Sequence, residues 1–160
     1  MPSRRALIRG AAGSALLVGI GMRAIAHAQA GTILIGHLVP RTGPRGSLGD
    51  HAVMGVQLAA EEINAAGGCR IALVLADASD PHTVRAKAER LVRRDKVALL
   101  IGDAERAGLD TLPMPASFVA TFARRYGKPP LTSAWIDYVA LKIAALSLAG
   151  QSSRRQGSRV

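Results

Sequence analysis

Short apolar runs and longer amphipathic stretches alternate along residues 31–102 of this 160-residue chain. The runs at 32–38, 71–76 and 96–102 have the length of strands. Between them, apolar residues recur every three or four positions, which predicts two amphipathic helices. The order strand, helix, strand, helix, strand predicts an α/β fold with a short parallel sheet, because such connections return the chain to the same end of a sheet.

Local signals place the ends of the two helices. The first is predicted to begin at Asp50 and to end at Gly67, since glycine commonly ends a helix. Asp80 is placed to cap the second helix, and Pro81 suits its first position. The strand between the two helices is continuously apolar, which is typical of a central strand buried on both faces.

Two further helices are predicted in residues 117–149. The helix at 133–149 is apolar nearly all round, so we expect it to be buried on several sides. The tail at 151–160 has no apolar periodicity and is predicted to be disordered. The first of the two helices carries an aromatic stripe of Phe118, Phe122 and Tyr126, and it ends at Gly127.

The first thirty residues have the organisation of a secretory signal peptide. A basic start is followed by an apolar stretch at 10–22 and by alanines at positions 26, 28 and 30. We therefore expect cleavage after Ala30 and export. The apolar stretch is shorter than the ~20 residues of a membrane span, so no stable membrane anchor is expected. Arg4 and Arg5 also resemble a twin-arginine signal, and both export routes stay open.

The formal net charge is +10, which by itself suggests an anionic partner such as nucleic acid. However, seven arginines lie in the leader and the last ten residues, which leaves +3 for the remainder. We therefore expect no nucleic-acid binding. The single cysteine, Cys69, has no partner for an internal disulfide, so the predicted fold depends on its apolar core.

Residues 36–68 carry a Pro-x-Thr-Gly turn, a glycine-rich loop and a helix ending in Glu-Ile-Asn-x-x-Gly-Gly. This segment resembles the opening of periplasmic solute-binding proteins of branched-chain amino acid ABC transporters, of the type I or leucine-binding kind. The matching residues are Pro40, Thr42, Gly43, Gly49, Gly55, Glu62, Ile63, Asn64, Gly67 and Gly68.

The resemblance continues to Gly102, breaks, and resumes at 117 with motifs that come late in the family. It therefore implies a large internal deletion: an N-terminal part at 31–102, a junction at 103–116 and a late helix pair at 117–150. The fold class implied is α/β, a single three-layer lobe with a short parallel sheet, which is an incomplete type I periplasmic binding protein fold. The later matches are Asp77, Asp80, Pro81, Ala88, Leu91, Val97 and Gly102, then Phe118, Phe122, Tyr126, Gly127, Tyr138, Ala140 and Leu141.

Open parallel sheets bind ligands outside the carboxyl ends of their strands, which places the candidate site in the loops there. Amides at the start of the first helix, with Ser47, could hold a carboxylate. The alternative is a glycine-rich connector that only turns the chain. The resemblance implies a hydroxyl after the third strand, which Asp103 does not supply. The candidate ligand-binding residues are Thr42, Ser47, Leu48, Gly49, Asp77 and Asp103.

Other kinds of site have weaker support. Gly43, Gly46 and Gly49 imitate a dinucleotide-binding loop, but the spacing G-x-x-G-x-x-G differs from that fingerprint, and no phosphate loop is present. The histidines at 37, 51 and 82 are separated by whole elements, so no metal site is predicted. We expect neither an enzyme nor a cofactor.

The resemblance implies the extracytoplasmic solute-binding component of an ABC importer for branched-chain or other amino acids. Its partners would be a small polar solute and an ABC permease, and its location the periplasm. The deletion implies impaired activity. Two alternatives stay open: a non-transport interaction module or a decayed remnant of such a protein, and, more remotely, a nucleotide-binding enzyme.

Expression in a host with both export routes should yield a mature protein that begins at Gly31, or at Gln29 if the earlier alanine is used. N-terminal sequencing checks this, and an intact Met1 on an exported, membrane-held protein would contradict it. Arg4→Lys and Arg5→Lys, made separately, should block export only if the twin-arginine route is used.

Overall fold

The computed structural model describes residues 32–67, 70–102 and 113–157. These residues form an α/β lobe in which a parallel sheet lies between helices. A short 3₁₀ turn at Gly43–Arg45 follows the first strand. The elements are β1 (Thr32–Val39), α1 (Gly46–Ala66), β2 (Arg70–Asp77), α2 (Pro81–Arg93), β3 (Leu99–Gly102), α3 (Ala116–Tyr126) and α4 (Thr132–Gly157).

The three strands of the described sheet run in the order β2-β1-β3, and both pairings are parallel. β1 aligns with β2 from Thr32 against Arg70 to Val39 against Asp77. β1 is therefore the central strand, and the prediction that the second strand is central is wrong. A continuous apolar run shows that helices cover both faces of a strand, but it does not show which strand lies between two others.

Each face of the sheet has its own core. On one face, Ile33 and Ile35 of β1 pack with residues of α1 and α4, including Val56 and Leu141. On the other face, a separate cluster includes Leu38 and Leu100 of the sheet with Leu91 of α2. Because alternate residues of a strand point to opposite faces, the apolar run of β1 serves both layers. The predicted three-layer lobe is confirmed.

The second helix begins as its sequence predicts. The carboxylate of Asp80 accepts a hydrogen bond from the backbone N–H of His82 at 2.9 Å, and Pro81 occupies the first turn. Leu91 is fully buried, and the arginines on the other sides of α2 are exposed. The arginines of this helix therefore form a solvated face, whereas Lys87 is half-buried and donates a hydrogen bond to the Asp77 carbonyl oxygen at 2.6 Å.

α1 and α4 cross at close range. A Cβ atom at Gly55 would overlap the carbonyl group of Ala134, so only glycine lets the two backbones approach this closely. Beside the crossing, Glu62 accepts hydrogen bonds from Tyr138 Oη and Lys142 Nζ, each at 2.6 Å. Residues from the beginning and the end of the chain thus form one structural unit.

A buried polar pair also joins α4 to the central strand. His37 Nε2 lies 2.7 Å from Asp137 Oδ2, and the two residues are 0% and 3% exposed. His37 Nδ1 is buried and has no hydrogen-bond partner among the described residues. Removing one member of such a pair is strongly destabilising, because it leaves the other polar group buried and unpaired.

α3 packs on the outer side of α1 through a small aromatic cluster. Phe118 and Phe122 are buried against Leu58 and Ala134. Tyr126 donates a hydrogen bond to the Met54 carbonyl oxygen at 2.9 Å. As predicted, Gly127 ends the helix, and its left-handed backbone (φ 68°) is a conformation that glycine adopts without strain.

The structure departs from the sequence-based expectations at three helix or strand ends. α1 begins at Gly46, four residues before the predicted start, because the 3₁₀ turn leads directly into it. β3 begins at Leu99. α4 continues to Gly157, so residues 151–157 differ from the predicted disordered tail. Gly150 costs about 1 kcal/mol in helix propensity but does not end the helix.

Several predicted features lie outside the described residues: the leader with its cleavage site at Ala30, Cys69, Asp103 and most of the junction. Among the described helices, none is long and apolar enough to cross a membrane. The outward side of α4 is nevertheless apolar, with Ile143 52% and Leu146 74% exposed. We therefore predict that the lobe associates through this surface.

Leu141→Asp should destabilise the lobe by several kcal/mol, about 3 or more, since it places an unpaired charge in the core between α4 and the sheet. Leu146→Asp, on the exposed side of the same helix, is the matched control and should leave stability nearly unchanged. Thermal and urea unfolding measure both. An unchanged melting temperature in Leu141→Asp would show that α4 does not pack as described.

Candidate functional site

The carboxyl ends of the three parallel strands meet at one edge of the sheet. Val39 of β1 aligns with Asp77 of β2, and Leu38 aligns with Gly102 of β3. The chain leaves this edge through the loop at 40–45 after β1 and the loop at 78–80 after β2. We call these two loops, together with Asp77 at the end of β2, the rim.

Ser79 holds the two rim loops together. Its Oγ accepts hydrogen bonds from the backbone N–H groups of Arg41, at 3.0 Å, and Thr42, at 2.9 Å. The same hydroxyl donates to Asp77 Oδ1. Because a hydroxyl has one donor and two acceptor sites, all of its hydrogen-bonding capacity is used within the rim.

The Asp77 carboxylate completes this network. Its Oδ1 accepts the backbone N–H groups of Arg41 at 3.0 Å and of Ser79 at 2.9 Å. Hydrogen bonds from the Ser79 side chain and then the Arg41 backbone lower the pKa of Asp77 from 3.8 to about 2, since they favour the ionised form. Asp77 is therefore a carboxylate that orders the rim.

The first turn of α1 is pressed against the end of β1. A Cβ atom at Gly49 would overlap the Pro40 carbonyl oxygen, and Gly46 lies against the backbone of Arg41. These glycines permit close packing of the helix against the end of β1. In the sequence they indicate a longer loop, because glycine is also typical of turns. From α4, Ser133 Oγ donates to the Leu48 carbonyl oxygen at 2.8 Å and fixes this turn.

The start of α1 carries polar groups that face outward. Arg45 is the N-cap and makes no side-chain cap hydrogen bond. The Gly46 N–H donates to the Gly43 carbonyl oxygen of the 3₁₀ turn, so this first amide is already bonded. The following amides, of Ser47 and Leu48, and the helix dipole favour an anion. Thr42, which lies just before the 3₁₀ turn, and Ser47, the second residue of α1, are both exposed. Arg41 reaches Asp50 at 3.7 Å, a half-exposed pair that contributes little to stability.

The structure brings some of the predicted site residues together. Thr42 and Asp77 belong to the hydrogen-bonded rim, and Gly49 lies in direct contact with it through Pro40. Leu48 is half-buried and its carbonyl oxygen is bonded to Ser133 Oγ, while Ser47 is exposed on the same first turn of α1. Asp103 lies outside the described residues.

Sequence reasoning missed the structural use of Arg41 and Ser133 in this region. Both act through partners far away in sequence: the Arg41 amide bonds residues 36 and 38 positions later, and Ser133 contacts a residue 85 positions earlier. Only the Asp-x-Ser spacing of Asp77 and Ser79 gave a local signal, because such residues often organise turns. Within the described part of the chain, no group of three or more potential ligands is placed to hold a metal ion.

Polar groups at the carboxyl ends of parallel strands, beside a helix N-terminus, define an α/β lobe of the small-molecule-binding class. Comparison with known proteins agrees. The family model described as "Periplasmic binding protein" matches residues 32–114, just over half of the chain. The chain belongs to this family, and the resemblance found from its motifs is confirmed.

Two curated relatives illustrate the match. The Leu/Ile/Val-binding protein homolog 7 of Brucella abortus (strain 2308) is 41% identical over 73 residues, which cover 44% of this chain and 18% of the relative. An amino acid binding protein of Pseudomonas aeruginosa is 42% identical over 92 residues, covering 55% of this chain and 24% of that protein. The matched region thus spans about a fifth to a quarter of these relatives.

Solved structures of the same family also match in part. A putative branched-chain amino acid ABC transporter protein from Silicibacter pomeroyi is 38% identical, with a TM-score of 0.43, over 45% of this chain and 19% of that one. A branched-chain amino acid transporter substrate binding protein from Streptococcus pneumoniae, solved with isoleucine, is 34% identical, with a TM-score of 0.40, over 42% and 20%. By its name, the second of these is a substrate binding protein.

Asp77→Asn should lower stability at neutral pH and lose that effect in acid. The folded-state pKa of Asp77, about 2, is below its ordinary value of 3.8, so its contribution is present above pH 3.8 and is lost as the pH falls towards 2. Urea unfolding of both proteins from pH 7 to pH 2 measures the difference, which should shrink between pH 4 and pH 2. Asp95→Asn, outside the rim, is the control. A difference that stays constant to pH 2 would contradict the role given to Asp77.

Proposed function

We propose that this chain is an extracytoplasmic solute-binding component related to ABC importers, and that its rim forms one wall of a site for an amino acid or a similar small polar solute. The observation that supports this most directly is the rim itself. It is an ordered loop beside the first turn of α1, at the carboxyl ends of parallel strands, where open α/β sheets bind ligands.

The chemistry of the rim suits an anionic group of the ligand. The backbone amides of Ser47 and Leu48 and the hydroxyls of Thr42 and Ser47 are donors for a carboxylate. Among the described residues, neither hydroxyl has a protein hydrogen-bond partner. Asp77 is ionised but committed to the rim, so it acts by holding the loop in place. Asp103, which follows β3 in the sequence, adds a negative charge that would weaken carboxylate binding.

The relatives' names suggest branched-chain or other amino acids as ligands and an ABC permease as partner, and the leader suggests the periplasm. A binding protein of this family with two lobes would enclose its solute, and such pockets typically bury about 70 to 90% of the ligand. If a closed complex binds near micromolar, about −8 kcal/mol, a single wall that keeps half of this free energy gives about −4 kcal/mol, or millimolar binding.

Calorimetry of residues 31–160 with leucine, isoleucine, valine and other amino acids should therefore show no binding tighter than roughly 100 μM. A clear micromolar isotherm would contradict the one-wall proposal and would indicate a second wall, for example from another copy of the chain.

Weak binding at the rim is detected by NMR titration with millimolar amino acid. The amide signals of Thr42, Ser47 and Leu48 should shift, whereas those of the exposed residues of α2 should not. Ser47→Ala should weaken these shifts, and Ser147→Ala, on α4, is the matched control. If no ligand shifts the rim signals, the chain is better described by the alternative of an interaction module or a decayed remnant.

A further inference from the structure

His51 lies in α1 and contacts the turn between α3 and α4, 80 residues away in sequence. Its Nδ1 is 3.1 Å from the backbone nitrogen of Leu131. Its ring stacks on that of Phe122 in α3, with centroids 5.8 Å apart and planes inclined by 15°. The residue is 7% exposed. One side chain thus contacts both α3 and the turn that follows it.

The contact with Leu131 requires a neutral imidazole. A backbone N–H group can only donate, so Nδ1 must carry a lone pair and the ring proton must be on Nε2. Protonation of the ring would place an N–H group against the N–H of Leu131. The hydrogen bond would then be lost, and two donors would face each other in a largely buried position.

The surroundings of His51 also favour the neutral form. Burial, followed by the positive charge of Lys128 in the same turn, lowers the pKa of His51 below 6.5, and Asp50 of α1 opposes this only in part. From α3, the ring of Phe122 faces His51 and carries no charge. Because the folded-state pKa lies below 6.5, His51 contributes to the stability of the folded state above pH 6.5. This contribution is lost as the pH falls below 6.5.

The part of the fold that depends on the contact between His51 and Leu131 is α3 with the turn that follows it. The buried residues of the aromatic cluster of α3 belong to neither core of the sheet, although Tyr138 of α4 packs against both this cluster and the core that contains Ile35. Apart from that cluster, α3 is held by the Tyr126 hydrogen bond to Met54 and by the exposed pair of Arg125 and Glu61 at 2.9 Å. Segments with few buried contacts open locally before the whole protein unfolds.

We propose that His51 is an acid-sensitive clasp that holds α3 and the α3–α4 turn on α1 at neutral pH and releases them in mild acid. α4 stays docked, because Leu141 and the crossing at Gly55 belong to the core of the sheet. The device is a conformational one and is independent of whether the rim binds an amino acid.

Linkage sets the size of the effect. The released state protonates His51 near pH 6.5, while the closed state resists protonation. The equilibrium between closed and released α3 should therefore shift towards release by up to about tenfold per pH unit below 6.5, until the folded-state pKa is reached.

The single tryptophan, Trp135, reports on α3, since its ring lies 4.9 Å from that of Phe118. In the full chain, acrylamide quenching of Trp135 should increase as the pH falls from 7.5 to 5.0. His51→Asn keeps an acceptor oxygen but does not titrate, so its quenching should stay constant. His82→Gln removes an exposed histidine and should respond like the wild type.

An acid response that persists in His51→Asn would assign it to another group and would overturn the proposal. A wild-type protein with no change over this range would overturn it as well. If His51→Asn does not fold, amide hydrogen exchange of the wild type, corrected for the intrinsic pH dependence, decides. Loss of protection confined to 116–131 below pH 6.5 supports the clasp, and a uniform loss or none refutes it.

Discussion

The close crossing of α1 and α4 at Gly55 is the constraint on which the rest of the lobe depends. It brings the backbone of a helix from the first third of the chain against that of a helix near its end. Once the two helices lie this close, Leu141 and Ala144 fill the same apolar layer as Ile35 of the central strand. The core on this face of the sheet therefore contains residues that are more than a hundred positions apart in the sequence.

The crossing also positions the polar contacts that join the two parts of the chain. His37 meets Asp137 inside the layer, Glu62 meets Tyr138 and Lys142 at its edge, and Ser133 reaches the first turn of α1. A buried polar pair contributes less net stability than apolar groups of the same shape, but it is destabilising when mismatched. The pair therefore favours one register of α4 on the sheet over others that bury as much apolar surface.

Local patterns in the sequence were sufficient for the elements and for the layer arrangement. Apolar periodicity located β1, α1, β2 and α2, and Asp80 with Pro81 marked the start of α2 correctly. The start of α1 was placed too late because Gly46 and Gly49 suggest a loop, whereas here they allow backbone contacts with Pro40 and Arg41.

The order of the strands and the contacts of His37 and His51 could not be predicted, because they depend on residues that are far apart in the sequence. The partners of the two histidines are 100 and 80 positions away. In the candidate site, the sequence located the rim but not its internal bonding. Asp77 is a candidate ligand-binding residue, and the structure shows that its carboxylate also accepts the amides of Arg41 and Ser79.

These internal hydrogen bonds of the rim affect the entropic cost of binding a ligand there. A loop that is free in solution loses backbone conformational entropy when it closes on a ligand, about 1–2 kcal/mol of free energy for each residue that becomes fixed. In this protein the carboxylate and hydroxyl that follow β2 already hold the loop that follows β1, so that entropy is lost during folding. Even a shallow, one-sided surface can then retain a measurable affinity, because complex formation does not have to order it.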